Sequence, residues 1–259
     1  MCLDASIPST SRRLTLSMIS LSDYSRSTKH PWPMLVFLLP LLLAYEGGVL
    51  WLGGPDTQSL RNGADAWLRW GLEAFGLNQI IIAPGIVAVT FFIWSLWRKD
   101  DRPKSLWSVC LGMTLECFLF AVGLWGVSHS FQPFLNYLGV PLSTGPAVHP
   151  VLRSVITYVG AGIYEEILFR LVLFSGLAWL LRLALIPKYV AIAAAAVVSA
   201  LLFSAAHHIG PYGESMNTYV FLFRAMAGLY FAILFQFRGF AVAAGTHASY
   251  DVLVGLTAA

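Results

Sequence analysis

Apolar runs recur along the chain at about 33–53, 77–97, 105–128, 151–181, 189–208, 219–237 and 239–256. Six are close to the roughly 20 residues that a helix needs to cross about 30 Å of hydrocarbon, and 151–181 is longer. Inside a bilayer no water answers the backbone N–H and C=O groups, so only helices or a closed barrel can span it, and runs of this length read as helices. The expected architecture is all-α, a multi-pass transmembrane helical bundle of about seven spans, within a range of six to eight. Composition bears on this directly. Hydrophobic residues make up 58% and charged residues 11%, against about 25% charged in soluble domains, and the mean hydropathy is +0.71. The net charge of +3 is small and its basic residues sit in short connectors, which argues against a nucleic-acid partner. Cys2, Cys110 and Cys117 are too few for a disulfide framework, and the last two share one apolar run.

Three stretches follow. Residues 1–30 are serine-rich, contain Arg12, Arg13, Arg26 and Lys29, and lack an apolar run long enough for a signal-peptide core. They read as a flexible cytoplasmic tail, with Met18 or Met34 as alternative starts and nothing before Pro31 expected to serve the fold. Residues 31–150 read as N-terminal transmembrane helices. Within them, 56–75 mixes Leu60, Ala64, Trp67, Leu68 and Leu72 with Arg61, Asp65 and Arg69, which suits an amphipathic helix in the interface or an ordinary surface loop. Residues 151–256 read as the functional core. Arg98, Lys99, Arg102, Lys104, Arg182, Lys188 and Arg238 fall on the side of the tail, whereas the connectors at 129–150 and 209–218 lack Lys and Arg. That asymmetry predicts an inside N-terminus and an outside C-terminus, and we expect a multi-pass protein of a bacterial cell membrane.

Charges inside the apolar runs then stand out. Residues 165–170 read Glu-Glu-Ile-Leu-Phe-Arg, and at a bilayer centre each ionised group costs at least ~2.5–3.5 kcal/mol. On a helix Arg170 lies one turn from Glu166, so those two can pair, while Glu165 points about 100° away. The next run ends Phe-Ser-Ala-Ala-His-His over 203–208, ahead of Gly210 and Pro211. The last contains His247 and Asp251, which share a face. Taken singly, these are an ion-pair knot, a helix-end histidine and a helix-locking pair. Together they form one polar cluster able to activate water: a carboxylate base, a histidine that shares or orients the proton, and donors for an oxyanion.

Three motifs carry a family resemblance: Glu-Glu-x-x-x-Arg at Glu165, Glu166 and Arg170, Phe-x-x-x-His at Phe203 and His207, and His-x-x-x-Asn/Asp at His247 and Asp251. In this order on successive late helices, over roughly residues 150–256, they resemble the CAAX prenyl protease and Abi-like intramembrane proteases, the CPBP family. The resemblance implies an intramembrane endopeptidase of glutamate type. It implies that Glu165 polarises the attacking water with His207 as partner, that Glu166 and Arg170 brace the site, and that His247 with Asp251, or its protonated form, binds the carbonyl oxygen. Eukaryotic prenyl-protein members typically have asparagine where this chain has Asp251.

The implied partners are a peptide or protein substrate within the membrane, cut near its C-terminus, and the lipid bilayer. No cofactor is required by this scheme. A divalent metal such as zinc is the alternative, and Glu165, His207 and His247 would hold it, although no His-Glu-x-x-His helix is present. Two other classes fit buried acids and histidines: a proton-coupled transporter, for which no internal repeat is visible, and a non-catalytic immunity or scaffold protein. Arg224 could meet a substrate carboxylate or an acid of the bundle, Glu46 suggests helix packing, and His208, Ser249 and Tyr250 could donate hydrogen bonds. Counting ~1.5 Å per residue puts His247 and Glu165 about 9–15 Å from the inner boundary but His207 about 27 Å from it, so on these boundaries the three do not line up.

Overall fold

The computed structural model describes residues 21–53, 57–78, 80–103, 105–138, 151–210 and 213–257. Among these, all regular structure is helical. In chain order the α-helices are α1 (Leu21–Ser27), α2 (Pro31–Gly53), α3 (Gly63–Glu73), α4 (Ile82–Trp97) and α5 (Leu106–Tyr137), then α6 (Val151–Glu166), α7 (Ser175–Leu183), α8 (Lys188–Ala206), α9 (Thr218–Arg238) and α10 (Phe240–Thr257). A π-helical stretch, Ile167–Phe174, joins α6 to α7 without a break.

α10 is the central helix, packed on α6, α5, α9 and α2. Its composition explains the position. Ala241, Ala243, Ala244, Gly245 and Ala248 are all buried, and small residues let neighbouring backbones close in. A Cβ added at Gly162 of α6 would lie 2.6 Å from both the Cβ and the N of Ala248. At the α9–α10 corner, Gly239 takes φ +95, and a Cβ there would meet Met34 and Thr28, so the turn requires glycine. On α5, Val109, Met113, Cys117, Ala121 and Leu124 form a buried stripe, while Leu111, Leu115, Phe118 and Leu119 are exposed and equally apolar. A helix apolar on its outer face as well is one that lipid surrounds.

By length and composition, α2, α5, α8 and α9 can each cross a membrane, and α4 is a shorter apolar helix. The remaining expected spans fall on the α6–α7 run and on α10. Both carry the charged and imidazole groups of the polar cluster, which lower their apolar character.

Two expectations change. Residues 21–30 are not a free tail: Tyr24 OH donates to Glu116 (3.0 Å), Lys29 Nζ to the Gln236 carbonyl (3.0 Å), and His30 is buried. His30 ends α1's turn and caps α2, accepting from Trp32 N–H on Nδ1 (3.1 Å) ahead of Pro31 at the first helical position. Residues 1–20 lie outside the described residues. The segment expected at 56–75 is a short 3-10 helix at Thr57–Leu60 and an α-helix over Gly63–Glu73, with Asp56 outside the described residues. Its charged edge faces inward, where Asp65 is fully buried, and Trp70 is turned outward. Glu46 of α2 supplies the reason, because Arg61 (3.3 Å) and Arg69 (2.9 Å) both pair with it.

The depth mismatch also resolves. The α6–α7 run extends from Val151 to Leu183, roughly 50 Å at 1.5 Å per residue, much longer than the hydrocarbon. Counted from Leu183, Glu165 stands about 27 Å up the run, and His207 stands about 28 Å up α8 from Lys188, so the two reach one level. His247 meets them early in α10 because the α9–α10 corner sits partway along α5, where Arg238 pairs with Glu116 (2.7 Å).

Candidate active site

α6 ends on Glu165 and Glu166, and the wider π-helical turn that follows carries Arg170. Such turns recur at functional sites. Arg170 is fully buried. Its Nε lies 3.1 Å from Glu166 Oε2, its Nη2 donates to the Gly228 carbonyl (2.9 Å), and its guanidinium lies over the rings of Phe203 (4.6 Å) and Phe231 (5.7 Å). The ion pair and the two aromatic faces offset the burial of this charge, and among its nitrogens only Nη2 makes a hydrogen bond to the described residues.

Glu166 uses its other oxygen to hold His247, with Nδ1 at 2.9 Å from Oε1. The His247 ring stacks on Phe231 at 4.4 Å between centroids, which fixes its plane. Its Nε2 points to Asp251 Oδ2 (3.4 Å) and Glu165 Oε2 (3.8 Å). His207 caps the end of α8. A carbonyl can only accept, so its contact with the Phe203 carbonyl (2.9 Å) places a proton on Nδ1, and in the neutral ring Nε2 is then an acceptor, facing Glu165 Oε2 at 3.8 Å. Phe203 joins these parts: its ring meets Phe169, His207 and His247 edge-on and underlies Arg170.

Glu165 is therefore asymmetric. Asn62 Nδ2 donates to Oε1 (2.7 Å), whereas buried Oε2 has no hydrogen-bond partner among the described residues. Asn62 had not stood out in the sequence. It caps α3 by accepting from Ala64 N–H (2.8 Å), and the same side chain orients a carboxylate on a helix far along the chain. The Asn-Gly-Ala-Asp start of α3 is a cap signal, but its reach to Glu165 is a tertiary fact.

These groups line a cavity of about 370 Å³ between α6, α8, α9 and α10. Glu165, His207, His247 and Asp251 border it together with Asn62, Tyr158, Arg224 and Tyr250. Glu166 and Arg170 lie behind it. Lining residues run from His247 on to Val254 and from Glu165 back to Thr157, so the cavity extends toward the end of the bundle that carries segment 213–217. Ser249 instead lines an apolar groove on the other side of α10. His208 donates from Nδ1 to the Glu214 carbonyl (3.0 Å), and Glu46 belongs to the ion-pair cluster on α3.

Among the described residues, no group of three or more His, Cys, Asp or Glu side chains converges as a metal-holding set. In a tetrahedral site with bonds of about 2.0–2.2 Å, donors lie about 3.3 Å apart. Glu165 Oε2 stands 3.8 Å from each of the two imidazoles.

Residues 147–253 match the family model described as Type II CAAX prenyl endopeptidase Rce1-like. This stretch is similar to an Rce1-like domain. It runs from α6 to α10 and so contains all six of the residues singled out from the sequence, and the match supports a CAAX protease-like hydrolase embedded in the membrane and acting on a peptide. No curated protein and no solved structure matches the chain. α1 to α5, whose segment supplies Asn62 to this cavity, lie outside the matched residues.

Proposed function

We propose that the cavity is the active site of an intramembrane endopeptidase that hydrolyses a peptide bond of a membrane-associated substrate near its C-terminus. The observation that carries this reading is the unpartnered Oε2 of Glu165, buried and facing His207 Nε2 across 3.8 Å. Two acceptors at that spacing are too far apart for a direct hydrogen bond and too alike to make one. A substrate water can donate one hydrogen to each, which aims its lone pair into the cavity.

Glu165 takes a proton as the water oxygen attacks the scissile carbonyl carbon. Both nitrogens of His247 face carboxylate oxygens, so each can donate. Glu166 holds Nδ1–H, and Nε2–H, with Asp251 Oδ2 beside it at 3.4 Å, is available to the carbonyl oxygen as it becomes an oxyanion. Arg170 neutralises Glu166 and keeps it in place. As the tetrahedral carbon collapses, the C–N bond breaks. Glu165, with His207, passes the proton to the leaving nitrogen, yielding a carboxylic acid and an amine. Every step uses the chain's own side chains. With the N-terminus inside a bacterial cell membrane, the cavity opens on the side away from the basic connectors.

Comparing membrane peptides by mass spectrometry from cells holding the wild type or Glu165→Gln tests the reading. Cleavage products present only with the wild type are expected, and identical peptide sets would overturn it.

A further inference from the structure

The hydrolytic scheme leaves one cation of the cavity unused. Arg224, on the second turn of α9, lines the cavity that holds Glu165 and His207. Its Nη1 donates to Glu214 Oε2 (2.9 Å) and its Nη2 to Glu214 Oε1 (2.7 Å), the parallel fork that a guanidinium makes with any carboxylate. The partner is unlike the other acids of the bundle. Glu214 comes from segment 213–217, and its side chain is 54% exposed against 23% for Arg224. Its backbone is pinned at both polar atoms: N–H donates to the His207 carbonyl (2.9 Å) and C=O accepts from His208 Nδ1 (3.0 Å). The carboxylate can therefore leave the guanidinium without moving the chain beside His207.

We propose that Arg224 binds the C-terminal carboxylate of the substrate, and that Glu214 is a built-in stand-in that the substrate displaces. The proposal rests on the peptidase reading and adds to it the residue that reads the substrate's terminus and the acid that guards it. Exchange of one carboxylate for another is nearly balanced. The arginine trades one bidentate partner for an equivalent one, and Glu214, already half in water, loses little on returning to it. The Arg224 hydrogen bonds also hold the Glu214 carboxyl below its ordinary range, so the stand-in is ionised at neutral pH. A tethered competitor weakens binding of what it imitates. The two residues should thus act in opposite directions, which a purely structural ion pair would not do.

The test uses full-length protein in detergent micelles, made catalytically silent by Glu165→Gln, and three apolar octapeptides carrying a photo-crosslinker. One ends in a free carboxylate, one in a carboxamide, and one carries a glutamate side chain ahead of a carboxamide. Capture of the first at least about tenfold over the plain carboxamide is expected, from the strength of a bidentate charged pair, with the glutamate peptide between the two. Arg224→Gln should remove that preference, Arg224→Lys should restore part of it, and Glu214→Gln should tighten capture of the free acid severalfold. Equal capture of all three peptides, no capture of any, persistence of the preference in Arg224→Gln, or weaker capture in Glu214→Gln would overturn the proposal. Acid-selective, Arg224-dependent capture without cleavage of any peptide by the wild type would instead defeat the peptidase reading and leave the carboxylate site standing.

Discussion

Two buried polar clusters sit side by side in this bundle, and they differ in whether their acids are used up. In the α2–α3 cluster, all four carboxylate oxygens of Glu46 and Asp65 accept hydrogen bonds. Glu46 takes Arg61, Arg69 and Tyr164 (2.7 Å), and Asp65 takes Arg61 (2.7 Å), Arg69 (2.7 Å) and Tyr45 (2.9 Å). In the cavity cluster, Glu165 has one oxygen held by Asn62 and the other unpartnered. A saturated network rigidifies a fold, whereas an unsatisfied buried acceptor costs stability and is kept where something must bind. The first cluster reads as a clamp and the second as a tool.

The sharpest way to break that contrast is to neutralise one acid in each. Glu165→Gln should lower peptide cleavage by about 10³-fold, within the usual range for loss of a general base, while the melting temperature in detergent stays level or rises. A large fall in melting temperature would make Glu165 part of the clamp. Asp65→Ala should do the reverse. It leaves Arg61 and Arg69 with Glu46 as their acid partner and the Tyr45 hydroxyl without its acceptor, and removing one partner of a buried ion pair costs about 3–5 kcal/mol. Thermal unfolding reads that loss, and unchanged stability would show the α3 network to be expendable.

Asn62 belongs to both clusters, since it caps α3, its N–H donates to Tyr45 OH (3.1 Å), and its side chain orients Glu165. Two substitutions separate the roles. Asn62→Asp keeps a cap acceptor but replaces the donor to Glu165 with a like charge, so cleavage should fall about 10- to 100-fold with the melting temperature nearly held. Asn62→Ala removes the cap as well and should cost a further ~1 kcal/mol of stability. Equal activity in wild type and Asn62→Asp would mean that Glu165 needs no orientation from α3.

How legible these clusters are in the sequence follows from their chemistry. Charges inside apolar runs are conspicuous because lipid makes them expensive, so Glu165, Glu166, Arg170, His207, His247 and Asp251 can be picked out without a structure, and so can the helical class. Asn62 cannot. It lies in a segment of mixed polarity between spans, where one more amide carries no penalty, and it acts on a residue more than a hundred positions away. The amphipathic pattern of α3 shows that two faces differ but not that the charged one turns inward, a choice made by Glu46 on another helix. Depth was illegible for a related reason. Helix length measured against bilayer thickness does not give depth here, because the α6–α7 run is longer than the hydrocarbon and the α9–α10 corner is set by Arg238 and Glu116.

The smallest expected effect concerns a third polar contact, at the junction of α1 and α2. His30 Nδ1 accepts from Trp32 N–H, so the proton of the neutral ring is on Nε2, which donates to the Arg98 carbonyl (2.8 Å). Burial, with the neighbouring Arg98 carbonyl opposing it, holds the His30 pKa below its ordinary 6.5. The folded state therefore binds this proton less readily than the unfolded one. The contribution is complete above pH 6.5 and is lost as pH falls from there toward the lowered folded value. Protonation also puts a hydrogen on Nδ1 against Trp32 N–H and removes the α2 cap, worth about 1 kcal/mol. Between pH 7.5 and 5.5 the melting temperature should fall by ~2–4 °C more in the wild type than in His30→Asn, which caps without titrating. Equal slopes in the two proteins would remove His30 from the account, and would leave Tyr24 and Lys29 as the contacts that tie residues 21–30 to the bundle.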